Sequence, residues 1–453
     1  MEINTAIVAG TGKSVISATK LLVNHGVKVY LFDENKDRDI EAIKEKTGDS
    51  ELVQIELGEL GEDALSSSQL MVISPGIPVD APFTDVVRNA GIPIWSEIEL
   101  AYHYGKGKIA AITGTNGKPT TTALVGEIVK AHNAKTIVVG NIGIPYTELC
   151  DTTDDDSDTV AEISSFQLET VIDFHPNVSA ILNLTPDHLN RHYTFENYGN
   201  VKFSITKNQT MDDVTVLNYD DEHTRAMGEK AKDHCHVVYF SRLEKPAGGV
   251  YVEDGDIILE DGDKKINVLA IKDLKLMGAH NVENVLAAVG ISYYMGVPVD
   301  VIRDVATSFK AVAHRIEYVD TIDGVAYYND SKGTNPDAAI KGIQAMVAPT
   351  FLIGGGYDKG SEYDEWIEAF DGKVKWLVLI GQTAQKIADC AKRHGFNSII
   401  FEENLQDAVA YCHENAVDGD AVLLSPACAS WGQFDNYEQR GDMFKEYVRS
   451  YKE

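Results

Sequence analysis

The stretch ITGTNGKPTTT (residues 112–122) leaves an apolar strand, turns through two glycines and presents a lysine where a helix begins. Glycines allow a tight turn that aims backbone N–H groups at an anion. The helix N-terminus adds its positive end, and Lys118 adds a point charge. The pattern reads as a phosphate loop, shorter than G-x-x-x-x-G-K-[ST] because only Thr115 and Asn116 separate Gly114 from Gly117. The next position ordinarily carries a hydroxyl for Mg²⁺. Here it is Pro119, which has neither a hydroxyl nor a backbone N–H. Taken alone, the same residues also fit a plain glycine turn between a core strand and a helix.

Outward from the loop, strand and helix signals alternate. TAIVAGTG, SVISATKLLVNHG, VKVYLFDEN and LMVISPGIP form a mononucleotide-binding βαβ pattern at the N-terminus. Val15 stands where the third glycine of G-x-G-x-x-G belongs, so an anion other than a dinucleotide is expected at the first helix. Beyond the loop, TIVVGNIG, TVAEISS, VSAILNLTPDH and VTVLNYDD read as strands, a polar β-rich patch spans about 237 to 270, and HNVENVLAAVGISYYMG reads as a helix. A third α/β unit begins at VAYYNDSKGTN and continues through TFLIGGGYDKG, KWLVLIG, SIIFEEN and AVLLSPACAS. A chain of 453 residues is too long for one core. The expectation is an α/β protein of three domains: a Rossmann-like domain at 1–95, a P-loop ATPase-like domain with a mainly parallel sheet at 96–311, and a Rossmann-like α/β domain at 312–453.

Composition narrows the partners. A formal charge of −30 argues against nucleic acid and anionic membrane, and obliges anionic substrates to be captured by local cations, helix N-termini or metal. No run approaches the roughly 18 apolar residues of a membrane span, and the opening MEINTAIVAG lacks a signal peptide's basic region. The five cysteines (150, 235, 390, 412 and 428) form no C-x-x-C pair and are expected to be reduced cytosolic thiols, with neither a disulfide framework nor a zinc site.

Several further stretches carry chemistry. AEISSFQLE places Glu162 at a strand end, and LNLTPDHLNRH is read as placing His188 at another. Parallel strands open their ligand crevice at such ends, although each residue alone is more often structural. HNVEN, AHRIE, NDSKGTNPDA and SPACASWGQFDNYEQRG follow. In this order, and over the full length, these motifs resemble those of the Mur ligases, the ATP-dependent amide-forming enzymes of peptidoglycan synthesis, most closely the branch that adds D-glutamate to UDP-N-acetylmuramoyl-L-alanine.

That resemblance implies roles residue by residue. Gly114, Thr115, Asn116, Gly117, Lys118 and Thr120 would cradle ATP, Lys118 at its β- and γ-phosphates. Glu162, His188 and Lys202 would hold Mg²⁺, the lysine after carbamylation by carbon dioxide, which turns a nitrogen into the oxygen donor that a hard cation prefers. Read from the residues alone, Lys202 is a solvated surface lysine. Asn281, Asn284, Arg315, Asp330 and Lys332 would complete the ATP site. Ser14, Asp33, Gly76, Asn141 and Ser164 would meet the uridine-linked substrate. Thr334, Lys359, Ser430 and Tyr437 would bind D-glutamate, the family more often having Phe at the last position. Pro119 and Asn190, the latter where the family usually has Asp, depart from the pattern. Thr120 to Thr122, or a water, would replace the lost hydroxyl.

The implied reaction activates the alanine carboxylate as an acyl phosphate, which the D-glutamate amine then attacks. A cytoplasmic monomer is expected. The alternatives are another Mur ligase, a folylpolyglutamate synthase-like enzyme, or a catalytically weakened nucleotide-binding scaffold, the last motivated by Pro119.

Overall fold

The computed structural model describes residues 3–141, 143–276, 278–310 and 313–452. Its strands form three sheets. In the first, β1 (Thr5–Ala9), β2 (Lys28–Asp33), β3 (Val53–Leu57), β4 (Leu70–Ile73) and β5 (Ile94–Ser96) run parallel in the order β3-β2-β1-β4-β5. The strand order reverses between β1 and β4, which opens a crevice beyond their carboxyl ends.

The second sheet contains β6 (Lys108–Thr113), β7 (Ile137–Gly140), β8 (Asp158–Glu162), β9 (Val178–Ile181), β10 (Val214–Asn218), β11 (His236–Ser241), β12 (Gly249–Glu253), β13 (Asp256–Asp261) and β14 (Lys264–Ala270). The order is β14-β13-β12-β11-β10-β9-β6-β8-β7. β6 therefore lies between β8 and β9, and its pairing with both is parallel. Near-continuous apolar runs such as the buried VSAI of β9 suit strands covered on both faces. The polar patch becomes the antiparallel edge β12–β14. Its first turn uses Asp254 (φ 52°) and Gly255 (φ 85°), the pair of positive φ values that a tight hairpin demands.

The third sheet holds β15 (Glu317–Ile322), β16 (Val325–Asn329), β17 (Thr350–Gly354), β18 (Val374–Leu379), β19 (Ile399–Phe401) and β20 (Ala421–Leu424) in the order β15-β16-β20-β17-β18-β19. Only the β15–β16 pairing is antiparallel. This hairpin departs from the sequence expectation, which opens the third unit at β16. Asp323 (φ 51°) and Gly324 (φ 79°) make its turn.

The chain divides into two compact units, Met1–Asp273 with Glu283–Thr307, and Leu274–Val282 with Ser308–Glu453. The first contains two of the three sheets. A break at 95/96 falls inside it, where Ser96 both ends β5 and caps the helix Glu97–Tyr104 through Glu99 N–H at 3.3 Å. The break expected at 311/312 lies outside the described residues. Among the described residues no helix is long and apolar enough to cross a membrane.

Candidate active site

In the first unit the phosphate loop lies between β6 and the helix Lys118–His132. Gly117, the residue before the helix, has φ +86°, and a Cβ there would stand 2.3 Å from Asn284 Oδ1. Only glycine fits both the conformation and the space. The loop is pinned by the segment after β9: Thr115 N–H donates to Asn183 O (3.0 Å), and Asn116 N–H to Asn183 Oδ1 (2.8 Å). Thr115 Oγ1 donates to Thr185 O and lies 3.1 Å from Tyr198 Oη.

Two lysines converge on this loop. Lys118 Nζ donates to Gly114 O and Thr115 O, both at 2.8 Å. Lys202 Nζ donates to Gly114 O at 2.8 Å and lies over the Tyr198 ring. Lys202 is 2% exposed, which corrects its reading as a solvated surface lysine. The helix Phe195–Phe203 carries it into the interior near its C-terminal end. Burial, reinforced by the nearby Lys118 charge, holds its amine well below the ordinary lysine value.

Glu162, the last residue of β8, is buried. Its Oε1 accepts from Asn141 Nδ2 at 3.0 Å, while its Oε2 has no protein partner. Pro119 falls in the first helical turn, where a missing N–H breaks no intrahelical bond. Of the hydroxyls beside it, Thr121 Oγ1 is engaged with Asn284 Oδ1 at 3.3 Å. Those of Thr120 and Thr122 are buried without a partner. Unpaired buried hydroxyls and a half-paired carboxylate beside a basic loop are the donor set expected of a nucleotide phosphate with a hard cation.

His188 is placed differently from expectation. It stands seven residues past the end of β9, not at the strand end, in a left-handed turn (φ 53°) with its side chain 48% exposed. Its ring lies 4.8 Å from that of Phe166. Arg191, which the sequence did not single out, ties this turn down. It pairs with Glu169 and donates from Nη2 to Ile77 O at 2.8 Å, beside Gly76. Asn190 is exposed.

The remaining first-unit candidates sit at the first sheet's crevice and on the strand ends. Ser14 is in the opening turn of the helix Lys13–Asn24, and Gly76 follows β4. Asp33 ends β2 with its carboxylate accepting from Thr11 Oγ1 (2.9 Å), Asn35 N–H (3.0 Å) and Arg38 Nε (3.1 Å). Ser164 caps the short helix Ser165–Leu168 in a capping box with Gln167.

The second unit builds its own cluster at the carboxyl ends of β16, β17 and β20. Asp330 follows β16 and is buried. Its Oδ1 accepts from Ile316 N–H (3.3 Å) and its Oδ2 from Ser425 Oγ (2.7 Å), and burial pushes its carboxyl up to about 6 despite the opposing Arg315 charge. Lys332 Nζ lies 5.4 Å from the Tyr437 ring centre, and Lys359 Nζ 4.7 Å from that of Trp431. Thr334 lies just before Asn335, the cap of the helix Pro336–Ala345. Ser430 is buried. Gly356 (φ +153°) allows the close pass of the SPACAS loop, since a Cβ there would meet Ala429 O at 2.4 Å. Asn281 is buried in the first turn of the helix Ala279–Tyr294, whose Asn284 already belongs to the first unit.

Arg440 organises this cluster, and the sequence reading quoted its EQRG motif without giving it a role. Fully buried, it donates from Nε to Ser331 Oγ (2.9 Å), from Nη2 to Ser331 O (2.7 Å) and from Nη1 to Cys428 O (3.2 Å). One guanidinium thus joins the DSKGT turn to the SPACAS loop. Nothing in the local sequence separates such an arginine from a surface one.

Comparison with known proteins agrees with this arrangement. Three family profiles match: "Mur ligase MurD-like, N-terminal domain" over residues 4–96, "Mur ligase middle domain" over 112–292 and "Mur ligase, glutamate ligase domain" over 314–428. The chain is 55% identical over 446 residues to the UDP-N-acetylmuramoylalanine--D-glutamate ligase of Lachnospira eligens, covering 98% of each chain. It is 51% identical over 447 residues to the enzyme of that name from Lachnoclostridium phytofermentans, covering 99% of this chain and 98% of that one. Among solved structures it resembles the UDP-N-acetylmuramate-alanine ligase MurC of Thermotoga maritima (TM-score 0.61, 18% identity, 99% and 100% coverage). It also resembles MurF ligase of Thermotoga maritima in complex with ADP (TM-score 0.60, 16% identity, 98% and 95% coverage). At these identities the structures speak for the fold, while the near-full-length relatives and the three profiles speak for descent: the chain belongs to the Mur ligases.

Proposed function

We propose that the chain is an ATP-dependent ligase that joins D-glutamate to the alanine carboxylate of UDP-N-acetylmuramoyl-L-alanine in peptidoglycan synthesis. The carrying observation is the buried Lys202 amine against the carbonyl of Gly114, inside a phosphate loop that already holds Lys118. The Lys118 charge suits a polyanion, whose local capture the net charge of −30 makes necessary, while the buried Lys202 amine suits carbamylation.

Division of labour follows the three segments: 1–95 for the uridine-linked substrate (Ser14, Asp33 and Gly76, with Asn141 and Ser164 from the next segment), 96–311 for ATP, and 312–453 for D-glutamate (Thr334, Lys359, Ser430 and Tyr437). Lys118 and the loop N–H groups neutralise the phosphates of ATP beside Asn284, and the family resemblance assigns Asn281, Arg315, Asp330 and Lys332 to ATP as well. Glu162, His188 and the carbamate of Lys202 would hold Mg²⁺, which when bound spreads the charge of the phosphates during transfer. Carbamylation needs an uncharged amine. Carbon dioxide forms a bond to Nζ, a proton leaves the nitrogen for water, and the depressed basicity of Lys202 enlarges the uncharged fraction of that amine. The alanine carboxylate takes the γ-phosphoryl group, ADP leaves, and the D-glutamate amine displaces phosphate from the acyl phosphate. We take the compartment to be the cytoplasm and the unit to be a monomer; five buried free thiols support a reducing compartment.

The test is incubation with ATP, Mg²⁺, UDP-N-acetylmuramoyl-L-alanine and single amino acids, following phosphate release and product mass. D-glutamate alone should support both. Turnover with a different amino acid, or with none, would overturn the substrate assignment. Lys202→Ala should lose about 100-fold or more in kcat, as when a preorganised electrostatic group is removed, and acetate should restore part of it. Full activity in the unrescued variant would remove Lys202 from the site.

A further inference from the structure

The second unit holds a group of side chains that the ligase reading does not use. Asp364 and Glu368 lie one turn apart on the helix Asp364–Glu368, and Cys390 and His394 one turn apart at the end of the helix Ala384–Arg393. Residues spaced i, i+4 project from one helical face, so each helix offers a pair of donors to the other. A carboxylate oxygen of Asp364, Cys390 Sγ and a ring nitrogen of His394 lie within 4.8 Å of one another. Asp364 Oδ1 is 2.8 Å from His394 Nε2, and His394 Nδ1 is 3.7 Å from Glu368 Oε1.

We propose that Asp364, Cys390 and His394 form a binding site for a thiophilic divalent cation of the zinc class. One sulfur, one imidazole nitrogen and one carboxylate oxygen are a zinc-type donor set with room for a fourth ligand. Hard cations such as Mg²⁺ and Ca²⁺ would not select the thiolate. Glu368 stands 3.7 Å from Nδ1 on the far side of the imidazole, and by closing to hydrogen-bond distance on metal binding it would direct the Nε2 lone pair toward the metal. Binding releases the Cys390 thiol proton to water. Arg393, 3.5 Å from Asp364 and 60% exposed, swings into solvent as the cation enters. The sequence hid the set because its two halves come from separate helices and include no C-x-x-C.

A second cluster with similar residue types, Glu99, His103 and Asp173, shows the contrast. The Glu99 carboxylate already accepts from the N–H groups of Ile172, Asp173 and Phe174 at 2.7 to 3.0 Å, and no thiol is present. It is a loop clamp.

The experiment is a Co²⁺ titration of the untagged, chelator-treated full-length protein in the near-ultraviolet. One equivalent should produce a thiolate-to-cobalt charge-transfer band that Zn²⁺ abolishes. Cys390→Ser should lose the band with its circular dichroism unchanged. Glu368→Gln should keep the band while weakening Zn²⁺ affinity about tenfold or more. No band at saturating Co²⁺, or an undiminished band in Cys390→Ser, would overturn the site; the latter would assign the thiolate to one of the other four cysteines.

Discussion

Pro119 removes a hydroxyl and an N–H beside Lys118 in the phosphate loop, yet the helix behind it forms, because first-turn N–H groups have no intrahelical partner. The loss is therefore chemical and confined to the ligand. Thr120 Oγ1, next in the chain, is buried and unpartnered and is the replacement that the sequence offers first. Pro119→Thr should lower the Mg²⁺ concentration for half-maximal activity by the equivalent of about 1 kcal/mol, since only the difference from a water ligand is gained. Coincident Mg²⁺ titrations of the two proteins would place residue 119 away from the metal. Arg440 poses the opposite case, a charge wholly inside the fold. Burial pulls its guanidinium down to about 10, still charged at neutral pH, and its three hydrogen bonds share one planar fork that lysine cannot copy. Arg440→Lys should raise the KM for D-glutamate several-fold while leaving the affinity for ADP unchanged. Equal losses in both readouts would make Arg440 a fold-stability residue only.

At the scale of elements, the candidate site residues gather where adjacent parallel strands end: β6, β8 and β9 in one sheet, and β16, β17 and β20 in another. Gly117 shows how tightly one such end is built. Gly117→Ala forces a left-handed alanine and pushes its methyl toward Asn284 Oδ1, so the loop must open. The expected cost is about 1–2 kcal/mol of stability together with a nucleotide affinity at least tenfold weaker, read by thermal melts and ADP titration. An unchanged ADP affinity would mean that the loop does not wrap the nucleotide. The strands forming these ends were readable as apolar runs, and the loops as motifs, because both signals are local. β15, in contrast, is EYVDTI, an exposed edge whose charges mask a strand. Lys202 looks solvated among FENYGNVKF, since its burial comes from the helix folding over a loop that lies nearly ninety residues earlier. The sequence pattern puts His188 at a strand end because LNLTPDH continues from β9 with no turn signal before Pro186, whereas the strand ends at Ile181. For Lys202 the missing information was a long-range contact.

Within the first compact unit, the first two sheets are joined by a buried acid. Glu97, in the helix that follows β5, accepts from Thr147 N–H (2.6 Å) and Thr147 Oγ1 (2.8 Å) through Oε1, and Thr147 Oγ1 lies 2.9 Å from Ser17 Oγ on the first helix. Its Oε2 has no partner, so the carboxyl is held uncharged by burial and its pKa rises from 4.5 to about 7. The native state thus binds this proton more tightly than the unfolded chain does. Its contribution is complete below pH 4.5, falls between pH 4.5 and about 7, and stays lost above that. The shift corresponds to a few kcal/mol at most, about 1.4 per unit. Glu97→Gln keeps the acceptor for Thr147 and cannot ionise. Its Tm should match that of the parent at pH 5 and exceed it by several degrees at pH 8. Comparing the variant with the parent at each pH cancels the titration of every other group, which matters in a chain of net charge −30. An offset of the same size at both pH values would show that Glu97 is already charged in the folded protein, with Thr147 and Ser17 supporting a buried carboxylate.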